Sequence, residues 1–373
     1  MVVLASKEFN MMSRSMVMGW LLAVGLVAGL APLATTEAGG KKTQGVWTDP
    51  EDKTLPEDFK FQGEYVGAIE GGFKVGAQVI ALGQDSFQAV IYPGGLPGDG
   101  WAGKEKVLMD GKRDCDKAVF MPTTGKRKYL AQKPEEFSAT AKFPPPGQKD
   151  FKATIAGGVL SGQAVGGKPF ELKKTFRKAS TLGQKPPAGA LVLFDGTNTD
   201  EFNRGRLDKA NGILNTDGSD IVTKRKFLNY TVHCEFMLPY RPDARGQGRG
   251  NSGFYMVDLY EVQILDSFGL EGLNNECGGV YTRLTPKVNA CLPPLQWQTY
   301  DIDFTSAIQE NGKKVKNARI TAKHNGIVIH DDAEIPGTTG GARNEPEGTP
   351  GVLRLQGHNN PLQFRNIWIV EKK

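Results

Sequence analysis

Cysteine and histidine are scarce, with four of each in 373 residues. The histidines stand at 233, 324, 330 and 358 and the cysteines at 115, 234, 277 and 291, without the paired spacing that builds a zinc site. No metal is expected on that ground, and a calcium ion held by carbonyls and carboxylates leaves no comparable signature. Helical periodicity is also missing from residues 61–178, where no window repeats apolar residues every three to four positions. Glycine is abundant at 47, yet never lies between a strand and a helix in the pattern that cradles a nucleotide phosphate. No cofactor is therefore expected. Charge of neither sign dominates: Lys plus Arg is 46 against 41 Asp plus Glu, and the excess lies in residues 41–190. Its clusters, Lys126, Arg127 and Lys128, then Lys173, Lys174, Arg177 and Lys178, come without any nucleic-acid motif. They read as solvated faces, and no nucleic-acid partner is expected.

Long hydrophobic runs are limited to one. From Met16 to Ala34 the chain is almost purely apolar, with Arg14 before it and small and polar residues after it. This is the pattern of a secretory signal peptide, expected over residues 1–38; an uncleaved anchor also fits the length. The expectation is a periplasmic or secreted protein with no stable membrane insertion after cleavage. Export permits disulfides, and Cys277 and Cys291, bracketing a short segment, are the expected pair. Residues 39–60, charged and without period, read as a flexible tether. Residues 61–180 show short apolar runs such as AQVIAL (77–82) and SFQAVIYP (86–93) between Gly and Pro clusters, the pattern of a small basic antiparallel β domain. A Pro/Gly linker follows over 181–190, and a second domain fills 191–373.

In that second domain YTVHCEFMLPY (230–240) alternates, with Val232, Cys234, Phe236 and Leu238 on one face and Thr231, His233, Glu235 and Met237 on the other. One face is expected buried and the other wet. Similar runs recur to residue 370, and in ARITAKHNGIVIH (318–330) the pair Asn325-Gly326 marks a hairpin. Eight or more strands at this spacing predict an all-β chain ending in a two-sheet jelly-roll sandwich.

Two strands present rows of polar side chains. In LYEVQILD (259–266) Tyr260, Val262 and Ile264 point inward, which leaves Glu261 and Gln263 together on the opposite face. In the strand around 353–358, Leu353 and Leu355 oppose Arg354, Gln356 and His358. If both rows lie on one sheet, they form a polar concave surface suited to a polyhydroxylated ligand. The plainer reading is that Glu261 is a surface carboxylate and that His358, followed by Asn359, Asn360 and Pro361, belongs to a turn.

Ordered motifs carry the reading further: LFDG (193–196), GNSGFYM (250–256), YEVQILD (260–266), GGVY (278–281), WQTYDI (297–302), HNG (324–326) and LRLQGHNNPLQFRNIWI (353–369). Together, over about 191–371, they resemble the 3-keto-disaccharide hydrolase domain family, whose fold is that of the concanavalin A-like lectins and glucanases. The resemblance implies a glycoside already oxidised at C3, supplied by a separate sugar 3-dehydrogenase. It also implies cleavage by C2 proton abstraction, elimination and rehydration, which needs one general base and hydrogen-bond donors to an enolate. Glu261 or His358 is the expected base, with Arg354, Gln356, Gln263 and Asn251 as donors and Asp266 and Tyr281 beside the sugar. Two rivals stand beside this reading. A retaining glycosidase would pair Glu261 with Asp266 across a strand bulge. A carbohydrate-binding module would use Tyr255, Tyr281 and Trp297 as ring platforms.

Overall fold

The computed structural model describes residues 45–372; the apolar run expected to direct export lies outside them. Among the described residues no helix is long and apolar enough to cross a membrane.

The first domain is a closed barrel of eight antiparallel strands: Gly63–Ile69, Phe73–Ala81, Ser86–Pro93, Val107–Asp114, Lys117–Pro122, Lys152–Ala156, Val159–Gln163 and Pro169–Thr175. Closure pairs the first strand with the last and removes the open edges that a sheet of this size would expose. Tyr65, Val79, Phe87, Ile91, Met109, Phe120 and Leu172 fill its interior. Gly111 sits opposite Phe120 in the ladder. A β-carbon there would lie 2.4 Å from the Phe120 ring, so only glycine fits.

The second domain is a two-sheet sandwich. One sheet runs in the order Arg206–Asp208, Ile213–Asn215, Gln363–Glu371, Tyr230–Met237, Trp297–Thr305, Ala318–His324 and Ile327–Ile335, with Leu191–Phe194 also paired to Gln363–Glu371. The other runs Phe202–Asn203, Ile221–Thr223, Arg354–Leu355, Ser252–Met256 and Tyr260–Ile264. Phe236, Phe304, Ile320 and Phe364 of the first sheet meet Phe254, Val262, Ile264 and Leu355 of the second in one apolar cluster. The expected hairpin closes at Asn325 and Gly326, both at positive φ (55° and 82°), as a two-residue turn matched to strand twist requires.

Three expectations need correction. From residue 45 onward the expected tether is part of the fold. Trp47 and Tyr240 exchange backbone hydrogen bonds of 3.0 and 2.8 Å, Phe59 stacks edge-on against Tyr240, and the Tyr240 hydroxyl donates to Asp58 at 2.7 Å. The barrel's Ile80, Val90 and Leu108 join the same apolar cluster as the sandwich, so the two domains share packing. The cysteines, Cys277 and Cys291 included, are free thiols.

The third concerns the strand Tyr230–Met237, whose expected wet face is buried. Trp368 stacks on His233 at 5.2 Å, and the linker folds over both. Gly183 N donates to Glu235 Oε1 at 2.6 Å, and the Thr181 hydroxyl donates to Asp301 at 2.6 Å. Glu235 also accepts from Arg365 Nε (2.7 Å) and Asn366 Nδ2 (2.9 Å), while His233 Nδ1 lies 2.6 Å from Asp301. Burial alone would raise the Glu235 pKa. The donors from His233, Asn366, Arg365 and Gly183 overcome it and hold the carboxyl at about 2. A carboxyl depressed below its unfolded value stabilises above pH 4.5, and that contribution fades as pH falls through the folded value. Glu235→Gln should therefore lose about 2–3 kcal/mol at pH 7, with the gap to the parent narrowing below pH 4 in urea melts.

Candidate active site

Antiparallel register, rather than loop geometry, assembles the polar face of the five-stranded sheet. Residues directly opposite in a ladder point the same way, and the ladders pair Tyr255 with Glu261 on one side and with Arg354 on the other. Gly253 pairs with Gln263, and Gln356 N bonds to Gly253 O at 2.9 Å. The two polar rows read from the sequence thus lie on one face, separated by the strand Ser252–Met256. Tyr255 is central to the row, whereas the sequence marks it only as a ring platform. Its position between a carboxylate and a guanidinium follows from strand order, which periodicity does not contain.

Glu261 is 3% exposed and Gln263 1%, so the face is closed rather than an open hollow. The segment 337–343 (GTTGGAR) covers it. The Tyr255 hydroxyl lies 2.9 Å from Glu261 Oε2 and 2.8 Å from the Gly340 carbonyl. Arg354 Nη2 donates to Gly341 O at 2.6 Å, and Glu261 N donates to the Thr339 hydroxyl at 2.9 Å. Gly253 is required from below, because a β-carbon there would stand 2.1 Å from Glu261 Oε1.

Arg354 stacks 3.8 Å over the Tyr255 ring and is paired with Asp258 (2.6 Å) and Asp220 (3.2 Å). Asp258 is aimed by a turn in which Val257 and Asp258 both adopt positive φ, 47° and 56°. A β-branched residue there carries backbone strain of about 1–3 kcal/mol. Burial pushes the Glu261 carboxyl up to about 7, against the opposing effects of the Tyr255 hydroxyl and the Arg354 charge. Burial and the adjacent carboxylate raise the Tyr255 phenol, which stays protonated and able to donate.

The remaining expected residues separate. The amide nitrogens of Asn251 and Gln263 both donate to Gln247 Oε1 at 3.0 Å, and their buried oxygens have no partner. Their donors are thus engaged within the protein; Gln247, which orders them, carries no sequence signal. Tyr281 is half-buried beside Gly340, and its backbone N donates to Glu261 O at 3.0 Å. Gln356 Nε2 lies 3.4 Å from the Tyr255 hydroxyl. His358 sits apart, exposed at φ 43° on the turn beyond Arg354–Leu355, and its ring makes no hydrogen bond among the described residues. Asp266 is buried 2.6 Å from Arg249 Nε, and Arg249 also donates to Ala81 O of the barrel at 3.0 Å. No bulge interrupts the Ser252–Met256 and Tyr260–Ile264 pairing, so nothing in the strand turns Asp266 toward Glu261. The expected platforms Tyr255 and Trp297 are each covered by a guanidinium, that of Arg365 lying 4.0 Å from Trp297. Among the described residues no group of three or more His, Cys, Asp or Glu side chains is arranged to hold a metal ion.

Residues 189–370 match the family of 3-keto-alpha-glucoside-1,2-lyase-like domains. The second half of the chain belongs to this family. The 3-keto-alpha-glucoside-1,2-lyase-like domain is concanavalin A-like in type, and membership supports a glycosidase-like activity. Three solved structures from Parabacteroides distasonis ATCC 8503, each described as a "putative glycosyl hydrolase", are similar to it. One is 31% identical, covers 50% of this chain and 85% of its own, and superposes with a TM-score of 0.46. The others are 18% and 20% identical, cover 50% and 49% of this chain and 95% and 99% of their own, and give TM-scores of 0.36 and 0.35. No curated protein matches the chain.

Two outcomes test these placements. A carboxyl raised from 4.5 to about 7 binds more protons folded than unfolded, so it erodes stability as pH climbs through that window. Glu261→Gln escapes the loss. Its melting temperature should exceed the parent's at pH 8, by an amount equivalent to at most about 3 kcal/mol, with little difference at pH 4.5. Asp266→Asn strips Arg249 of its buried counter-charge, and chemical denaturation at pH 7 should register a loss of about 3–5 kcal/mol.

Proposed function

We propose that the sandwich cleaves 3-keto-glycosides, including 3-keto-disaccharides, with Glu261 as the general base. One observation carries the reading: a buried carboxyl poised at about 7, hydrogen-bonded to a neutral phenol, with no second carboxylate among the described residues free to act beside it. A base whose pKa lies near the working pH combines a useful ionised fraction with a useful affinity for the proton. A two-carboxylate glycosidase needs a partner about 5–10 Å away across the sugar, and Asp266 is committed to Arg249.

The chemistry follows from the ketone. A carbonyl at C3 acidifies the C2 proton, and the glycosidic oxygen at C1 is β to that carbonyl. Glu261 removes the C2 proton, the electron pair forms the C1–C2 double bond, and the C1–O bond breaks as the departing aglycone oxygen takes a proton from solvent water. Water then adds at C1 while C2 regains a proton, so the net reaction is hydrolysis. Gln356 Nε2 is the donor nearest Tyr255 and Glu261 for the C3 enolate oxygen. The free oxygens of Asn251 and Gln263 accept hydroxyl groups of the ring. The oxidised sugar comes from a separate 3-dehydrogenase, since the chain carries no dinucleotide-binding pattern, and an exported location fits the N-terminal apolar run.

Incubation of the full chain in D2O with a 3-keto-disaccharide and with its unoxidised parent tests this. Cleavage of the keto sugar alone, with deuterium appearing at C2, is expected, and Glu261→Gln should be slower by about 10²–10⁴-fold. Equal cleavage of both sugars, or a product without deuterium, would overturn the reading.

A further inference from the structure

The Tyr255 hydroxyl stands within hydrogen-bond distance of two acceptors, Glu261 Oε2 at 2.9 Å and the Gly340 carbonyl at 2.8 Å. A phenol has one proton and satisfies one of them at a time. When Glu261 is ionised, the charge-assisted bond takes the proton, and the Gly340 oxygen is left facing the lone pairs of the phenol. When Glu261 carries a proton, the acid donates to the phenol oxygen, the phenol donates to Gly340, and both acceptors are satisfied.

We infer that Tyr255 is a positioning residue that couples the two: protonation of Glu261 latches the 337–343 segment over the site, and ionisation loosens it. The coupling is a property of these groups alone; its meaning for catalysis rests on the reading of Glu261 as the base. With the base ionised, the loosened cover yields more readily to substrate approaching a carboxylate that is otherwise 3% exposed. Once the C2 proton has moved to Glu261, the cover closes over the unsaturated intermediate; the acid proton exchanges with the water that adds at C1, and the cover loosens when Glu261 delivers the exchanged proton to C2. The phenol keeps a proton throughout, so the cycle balances.

Other groups set the size of the effect. Arg354 faces Glu261 from across the intervening strand Ser252–Met256, with Asp258 and Asp220 against it, and Arg343 on the cover is bonded to Thr349. The cover is also held by Arg354 Nη2 on Gly341 O (2.6 Å), Arg283 Nη2 on Thr338 O (2.7 Å), Thr339 N on Leu259 O (3.0 Å) and Arg343 N on Asp258 O (2.9 Å). Loss of one bond among these loosens the segment without freeing it. Gly337, Gly340 and Gly341 supply the backbone freedom to move, with Gly341 at φ 71°.

Amide hydrogen exchange of residues 338–342, corrected for intrinsic rates between pH 5.5 and 8.5, tests the coupling without substrate. In the parent, protection should fall about five- to tenfold as pH passes 7. Glu261→Gln, whose amide donates to the phenol as the protonated acid does, should remain protected throughout. Tyr255→Phe keeps the ring beneath Arg354 and should exchange fast at every pH, with no step. No step in the parent, or the same step in Tyr255→Phe, would overturn the inference; the latter would mean that burial of Glu261 alone drives opening. Neither result bears on whether Glu261→Gln fails to cleave a 3-keto sugar.

Discussion

The row Arg354, Tyr255, Glu261 depends on the register of three short antiparallel strands. Side chains alternate between the faces of a strand, so a slip of one residue would bring Val262 to the polar face and drive Glu261 into the core between the sheets. Register is secured from the apolar side, where Phe254 faces Val262 and Leu355. The hydrophobic packing of the sandwich and the placement of its candidate chemistry are therefore one constraint seen from two faces.

Two buried glutamates in the same domain show how the number of donors separates structure from chemistry. Glu235 accepts from Gly183, Arg365 and Asn366 and lies beside His233. Its charge is fully answered, and its carboxyl is held near 2. Glu261 has a single hydroxyl donor and a guanidinium already engaged with two aspartates, so burial dominates and the carboxyl rises to about 7. The first arrangement fixes the linker to the sandwich. The second stores a destabilising charge, a cost typical of functional sites.

The barrel contributes by holding loops. Arg249 spans Asp266 and the barrel's Ala81 carbonyl, Lys106 pairs with Glu271 at 3.3 Å, and the Tyr129 hydroxyl bonds to Glu276. Loop 271–276 carries Asn275, whose carbonyl accepts from Gln247 at 2.8 Å, and Gln247 in turn orders Asn251 and Gln263. Barrel contacts are thus two bonds removed from the candidate site.

Strand alternation and turn chemistry are local properties, so the sequence by itself determined the all-β character, the Asn325-Gly326 hairpin, and the two separate rows, Glu261 with Gln263 and Arg354 with Gln356. Pairing partners and burial are long-range properties. Only the tertiary structure decided that Tyr255 stands between Arg354 and Glu261, that a glycine-rich segment covers them, and that Asp266 is neutralised by Arg249. It likewise placed His358 on an exposed turn and buried the face bearing His233 and Glu235. In each case the deciding contact joins residues distant in sequence or folds a loop onto a strand, and a periodic pattern cannot encode which partner fills the space above it.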